Sequence, residues 1–144
     1  MKRTIQLMVP VCVIATILVL AASNVAAGDD QKFADKQMRL AIKDANHGYE
    51  ALDKVGTKLE KGKEKSATNH FENAIDDFQQ ALTHFAKAVV GKDQQGAIDD
   101  INSGVNALQK ALTALENGKT DKAQTQYNTA MGYFNQAEAI LDLS

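Results

Sequence analysis

Three histidines are the side chains of this sequence best suited to bind a metal ion or to exchange a proton near neutral pH. His47 lies three residues after Asp44 and three before Glu50, so a helix would place all three side chains on one face. Imidazole and carboxylate groups in this pattern predict a weak divalent-metal site. The alternative for the same pattern is a solvated polar face.

The other two histidines belong to a second polar stripe, in which His70, Asp77 and His84 follow one another at intervals of seven residues. Seven residues of helix span about 10 Å, so neighbouring members of the stripe cannot share one ion without partners from another helix. Without such partners they are polar positions beside an apolar seam. The candidate metal ligands are therefore Asp44, His47, Glu50, His70, Asp77 and His84.

Other chemistry lacks the residues it requires. The chain has no Glu-x-x-His pair for a di-iron site, no Gly-x-Ser-x-Gly elbow for a hydrolase and no glycine-rich phosphate loop. A haem of the cytochrome b562 type would need a histidine in the last helix, and no histidine follows His84. A net charge of −2 disfavours nucleic acid as a partner. We expect a protein that is not an enzyme and has neither a haem nor a nucleotide cofactor.

The N-terminal residues 1–27 have the pattern of a cleaved secretory signal peptide. Two basic residues precede an apolar run of 16 residues (7–22), and small residues precede Gly28. The run is short for a membrane span, which takes about 20 residues, although a retained signal anchor is the alternative. Cleavage before Gly28 predicts a periplasmic or secreted protein with no stable membrane insertion, and it removes the single cysteine, Cys12.

The sequence contains an internal repeat with a period of 56 residues. Residues 41–81 align without a gap on residues 97–137, with 18 identities in 41 positions. The identities include Gly62 and Gly118, each followed by a lysine, which is typical of a helix end. The repeat predicts that one helical hairpin was duplicated.

Apolar residues at helical spacing predict four helices, at about 31–60, 65–90, 94–116 and 121–142. The predicted apolar seam of the first is Ile42, Ala45, Tyr49, Leu52, Gly56 and Leu59. The second and fourth helices alternate alanines with large residues, at Ala67, Phe71, Ala74, Phe78, Ala81 and Phe85, and at Ala123, Tyr127, Ala130, Phe134, Ala137 and Leu141.

Short loops make consecutive helices antiparallel, so residues 28–144 are predicted to form an all-α, up-down four-helix bundle made of two hairpins, at about 31–90 and 94–142. Stacked tetratricopeptide repeats are the alternative, but their period is about 34 residues. Gly56 stands where the second unit has Leu112. We expect Tyr49 or a phenylalanine to fill the gap, and a small apolar pocket is the alternative.

The segments Ala67-Thr68-Asn69-His70 and Ala81-Leu82-Thr83-His84 match a heptad-repeated Ala-x-x-His pattern. In this respect the chain resembles the small metal-binding proteins of the bacterial periplasm. The resemblance implies an exported helical bundle that binds copper or other divalent metals through histidines on helix faces. That family is rich in histidine, whereas only His70 and His84 match its pattern here.

Two functions follow from these expectations. The first is an exported, non-enzymatic bundle that binds or buffers copper, nickel or zinc. The second is a periplasmic protein-interaction or envelope-stress module that has an unidentified protein partner and no metal role.

Overall fold

The computed structural model describes residues 28–141, which form four α-helices and no β-strand. The helices are α1 (Gly28–Glu60), α2 (Glu64–Phe85), α3 (Lys92–Glu116) and α4 (Thr120–Leu141). In this part of the chain, α1 packs closely on α2 and α3 packs closely on α4, while α2 also contacts α3. The predicted all-α four-helix bundle of two hairpins is confirmed. Hairpin 1 is α1 with α2, and hairpin 2 is α3 with α4.

The predicted signal peptide and Cys12 lie outside the described residues. Among α1 to α4, none combines the length and the apolar character that crossing a membrane requires.

The two hairpin turns are built in the same way. Gly62 and Gly118 have positive φ angles of 64° and 71°. In each turn, the amide of the following lysine donates to a carbonyl five residues earlier, at 2.9 Å after Gly62 and 2.8 Å after Gly118. This hydrogen-bond pattern is the Schellman motif, whose left-handed residue is most often glycine. The prediction that both glycines end a helix is confirmed.

Helix α2 ends earlier than the sequence indicated, at Phe85 rather than near residue 90. The amide of Lys87 donates to the His84 carbonyl at 3.0 Å, and the amide of Ala88 donates to the Phe85 carbonyl at 3.1 Å. These bonds span three residues, so the chain tightens out of the α-helix. The tighter path buries Ala88 beside the core.

The alternating seams of α2 and α4 are confirmed as the centre of the core. All six predicted α2 positions are fully buried, five of the α4 positions are buried, and Leu141 packs against them in part. Rings that alternate with alanines let the helices interdigitate without voids.

Two stacked rings, one from each hairpin, occupy equivalent positions of the repeat. The rings of Phe78 and Phe134 lie 4.1 Å apart between centroids and 16° from parallel. Each ring covers a glycine of its own hairpin, because a Cβ at Gly48 would lie 2.7 Å from Phe78 and one at Gly104 would lie 2.7 Å from Phe134. Both pairs obey the 56-residue repeat, so the duplicated sequence forms duplicated packing.

The seam predicted for α1 is only half right. The buried residues of α1 are Ala34, Gln37, Ala41, Ala45, Gly48, Ala51, Leu52, Val55 and Leu59. Ile42, Tyr49 and Gly56 are only partly buried. The residue that precedes each of them (Ala41, Gly48 or Val55) is buried instead. Small residues face α2 because its phenylalanine rings approach the α1 backbone closely.

Two tyrosines connect α1 with α4. The Tyr49 hydroxyl donates to the Phe134 carbonyl at 2.5 Å, and the Tyr127 hydroxyl donates to the Leu52 carbonyl at 3.0 Å. Burial, and then the charge of Glu138, raise the pKa of Tyr49 far above its usual value. Burial also raises the pKa of Tyr127. Both phenols therefore remain protonated donors at physiological pH.

The gap at Gly56 is filled by Tyr127. A Cβ at position 56 would lie 2.9 Å from the Tyr127 hydroxyl oxygen. The expectation that an aromatic side chain fills the gap is correct, but the residue is neither Tyr49 nor a phenylalanine. In the repeat, Gly56 corresponds to Leu112 and Tyr127 corresponds to Phe71. Position 56 therefore lacks the side chain that position 112 has, and position 127 has a hydroxyl group that position 71 lacks.

Candidate functional site

One histidine side chain is held between two polar groups of α1. His84, in the last turn of α2, places its Nδ1 atom 2.7 Å from Oε1 of Gln37. Its Nε2 atom lies 3.4 Å from Oδ2 of Asp44. Gln37 is 7% exposed, whereas the side chains of His84 and Asp44 are 26% and 16% exposed. The site is therefore partly shielded from solvent and open enough for an ion to enter.

The contact with Gln37 determines which ring nitrogen of His84 has a free lone pair. An amide oxygen at Nδ1 accepts a hydrogen bond, so Nδ1 carries the proton in the neutral ring. Nε2 then directs its lone pair toward the Asp44 carboxylate. Two electron-pair donors at this separation can bind one metal ion between them.

The 3.4 Å separation between Nε2 and Oδ2 suits a tetrahedral metal ion. Bonds of about 2.1 Å at the tetrahedral angle place two ligand atoms about 3.4 Å apart. A hydrogen-bond acceptor at the other ring nitrogen is the usual outer-shell partner of a metal-bound histidine. Gln37 occupies that position.

Further charged groups lie near Asp44, around Asp77 of α2. Burial raises the pKa of Asp77 above its usual value of 3.8, and the nearby charge of His47 acts in the opposite direction. The carboxylates of Asp44, Asp76 and Glu50 raise it further. We call the surface that contains Asp44, His47, Glu50, Asp77 and His84 the α1–α2 polar face.

The α1–α2 polar face unites two groups of residues that the sequence presented separately. The α1 candidates Asp44, His47 and Glu50 lie beside two α2 candidates, Asp77 and His84. His70, the sixth candidate, forms no ion pair or side-chain hydrogen bond with another residue of the described range. In residues 28–141, no group of three or more histidine and acidic side chains is arranged to hold one ion. The polar face thus offers one close pair of ligand atoms, with further charges around it.

Sequence reasoning missed Gln37. It lies three residues after Ala34 and four before Ala41, both of which are buried, so it occupies the inner stripe of α1. A glutamine on an otherwise apolar stripe indicates that its side chain has a hydrogen-bond partner inside the protein. The partner itself comes from a helix 47 residues away and is visible only in the folded chain.

Four large apolar side chains remain exposed among the described residues. These are Phe33, Val89, Tyr133 and Ile140. Their exposure ranges from 37% for Tyr133 to 52% for Phe33.

Comparison of the chain with models of known protein families, with curated proteins and with solved structures finds no match.

Proposed function

We propose that this chain is an exported, non-enzymatic helical bundle that binds a divalent transition-metal ion through His84 and Asp44. The observation that carries the proposal is the 3.4 Å separation of Nε2 and Oδ2, with Gln37 fixing the imidazole from its other side. Both ligand atoms come from rigid helices, so little ordering is required when an ion binds.

The types of ligand favour copper(II), nickel(II) or zinc(II). Imidazole nitrogen suits these ions better than calcium or magnesium, which prefer oxygen ligands. The remaining coordination positions are filled by water, because two protein ligands are in place. Such a site exchanges its ion readily, and this suits buffering rather than a permanent structural metal.

The surrounding charges support the capture of a cation. Asp77 lies near Asp44, one of the two proposed ligands, and near Glu50, since the charges of both raise its pKa. Carboxylates near a partly shielded site raise the local concentration of divalent cations, and salt weakens this effect.

Export is proposed from residues 1–27. The basic start, the apolar run over residues 7–22 and the small residues before Gly28 support a cleaved signal and a periplasmic or secreted location. After cleavage the chain contains no cysteine, so no thiolate competes with histidine and carboxylate as a metal ligand.

The test is a calorimetric titration of residues 28–144 with copper(II), nickel(II) and zinc(II) near pH 7. We expect binding in the parent, loss of most of it in His84→Gln, and retention in His70→Gln. Each variant removes one imidazole from α2. The variants differ because the ring of His84 contacts Asp44 and Gln37, whereas the ring of His70 does not. Absence of binding in the parent, or equal loss in both variants, would disprove a site at His84 and Asp44.

A protein-interaction or envelope-stress module is the second candidate function. It is favoured by the exposed apolar side chains, above all Phe33 and Val89. In this case a variant that lacks all three histidines should act like the parent in a stress or partner assay. The variant Phe33→Ser, in contrast, should differ from the parent in the same assay.

A further inference from the structure

The 56-residue repeat gives hairpin 2 an outer groove equivalent to the α1–α2 polar face. Asp44 corresponds to Asp100, an identical residue, and His84 corresponds to Ile140. Both helices of each hairpin continue through these positions, so the offset holds without a gap. The two grooves thus retain one ligand in common and differ at the other.

The helices of the two hairpins approach each other equally closely at equivalent residues of the core. In each hairpin a phenylalanine ring lies over a helical glycine, with equal 2.7 Å distances to a Cβ built at Gly48 or at Gly104. Helices that approach to the same distance at equivalent residues present equivalent outer positions. Asp100 is half-buried, as Asp44 is, whereas Ile140 is 45% exposed.

The equivalents of the other polar residues are also informative. Gln37 corresponds to Asp93, which is exposed near the start of α3. A carboxylate serves as well as an amide oxygen as the outer-shell acceptor for a histidine Nδ1–H. Asp77 corresponds to Tyr133, so hairpin 2 lacks the surrounding acidic charge. The imidazole is therefore the one missing element of the ligand pair.

We infer that hairpin 2 contains half of the metal site of hairpin 1, so that the chain binds a single ion at hairpin 1 and a histidine at position 140 completes a second site with Asp100. This inference rests on the proposed function of hairpin 1. It assigns the two units of the duplication different roles, with hairpin 1 binding metal and hairpin 2 packing against it.

The experiment measures the number of ions bound per chain by calorimetric titration with copper(II), using full-length mature protein. We expect one ion for the parent and two for Ile140→His. The matched control is Asn128→His, which is also exposed on the same helix but lies about 18 Å from position 140 along the axis, and it should leave the number at one.

Two further variants show which residues form the new site. Ile140→His combined with Asp100→Asn should return the number to one. His84→Gln combined with Ile140→His should bind one ion, now in hairpin 2. Circular dichroism of each variant verifies that the helices are intact.

The two possible failures are distinguishable. If the parent binds one ion and Ile140→His also binds one, the inference is wrong and the proposed function stands. If the parent binds none, the proposed function fails and the inference fails with it. A second ion in Asn128→His would also overturn the inference, because an exposed histidine alone would then be sufficient.

Discussion

Hairpin 1 and hairpin 2 each place a phenylalanine ring against a helical glycine, and the two rings stack on each other at the centre of the molecule. Away from this centre the hairpins differ. The outer groove of hairpin 1 contains histidines and acids, whereas the equivalent positions in hairpin 2 include Tyr133 and Ile140. A ring that packs against a glycine limits which residues are tolerated at both positions, whereas a residue on the outer surface limits the choice only at its own position. The difference shows that duplication preserved the packing and left the surface free to change.

The contact between the hairpins is intermediate between the core, where the repeat is kept, and the outer surface, where it is changed. At Gly56 the side chain is absent and the Tyr127 hydroxyl occupies the space, while the equivalent positions are Leu112 and Phe71. A change in one member of each pair is compensated in the other. The contact between Gly56 and Tyr127 is therefore not repeated with the same residues at the equivalent positions.

The strongest test of equivalence at the centre is removal of the stacked rings. Phe78→Ala and Phe134→Ala should each reduce the free energy of unfolding by about 3–5 kcal/mol, because each deletes a fully buried ring and leaves a cavity. Chemical denaturation measures both. Costs that differ by more than about 2 kcal/mol would contradict equivalent packing in the two hairpins.

Adding a methyl group beneath the rings should have the next largest effect. Gly48→Ala and Gly104→Ala should each destabilise the bundle by about 1–3 kcal/mol, since the new Cβ would lie 2.7 Å from a ring. The matched control is Gly132→Ala, where nothing lies within 4 Å, and it should stabilise the protein by about 1 kcal/mol. Thermal denaturation reports all three, and a gain in stability for Gly48→Ala would show that the rings move aside at little cost.

At Gly56 and Tyr127, the effect of one substitution on stability should change sign with the identity of the other residue. Gly56→Ala should destabilise the parent, because its Cβ would lie 2.9 Å from the Tyr127 hydroxyl oxygen. In a Tyr127→Phe background the next ring atom is at 3.5 Å, so Gly56→Ala should then stabilise the helix, by about 1 kcal/mol. A double-mutant cycle gives the coupling energy. The same effect in both backgrounds would mean that Gly56 and Tyr127 are independent.

The smallest expected effect comes from the outer groove. Burial raises the pKa of Asp77 in the folded protein, so folding favours its protonated form and the ionised carboxylate costs stability above the raised pKa. Asp77→Asn should therefore give a small increase in Tm at pH 7 and none near pH 3, where the carboxyl is protonated in both states. The control is Glu72→Gln, which removes an exposed α2 carboxylate that is not among the charges acting on Asp77 and should leave the Tm unchanged. An increase that persists at pH 3 would rule out ionisation as its cause.

The fold could be predicted because the apolar pattern of α2 and α4 has one interpretation. A phenylalanine or tyrosine every seven residues, with alanines between, specifies both the inner face and its packing partner. The α1 seam was harder to predict, since Ala41 and Gly48 compete with their larger neighbours Ile42 and Tyr49. Size favours the larger residue in a sequence, whereas the α2 rings select the smaller one in the structure.

The candidate site could be predicted only in its parts. Asp44 and His84 were each identified from the sequence, but their pairing depends on how α1 is rotated against α2. That rotation is set by the glycine and alanine contacts of the core. Gln37 was missed because its partner, His84, is brought to it by the hairpin turn.

The two glycine turns also determine how the chain folds. Each turn joins helices that are neighbours in sequence, and the closest helix pairs are those within a hairpin. Contacts between residues near in sequence lower the entropy lost before the transition state, and helical proteins with this property fold in microseconds to milliseconds. The contacts that come last are those between sequence-distant helices, with Tyr49 reaching α4 and Tyr127 reaching α1. In native-state hydrogen exchange, each hairpin should therefore behave as one cooperative unit, and the two units should meet at their tyrosines.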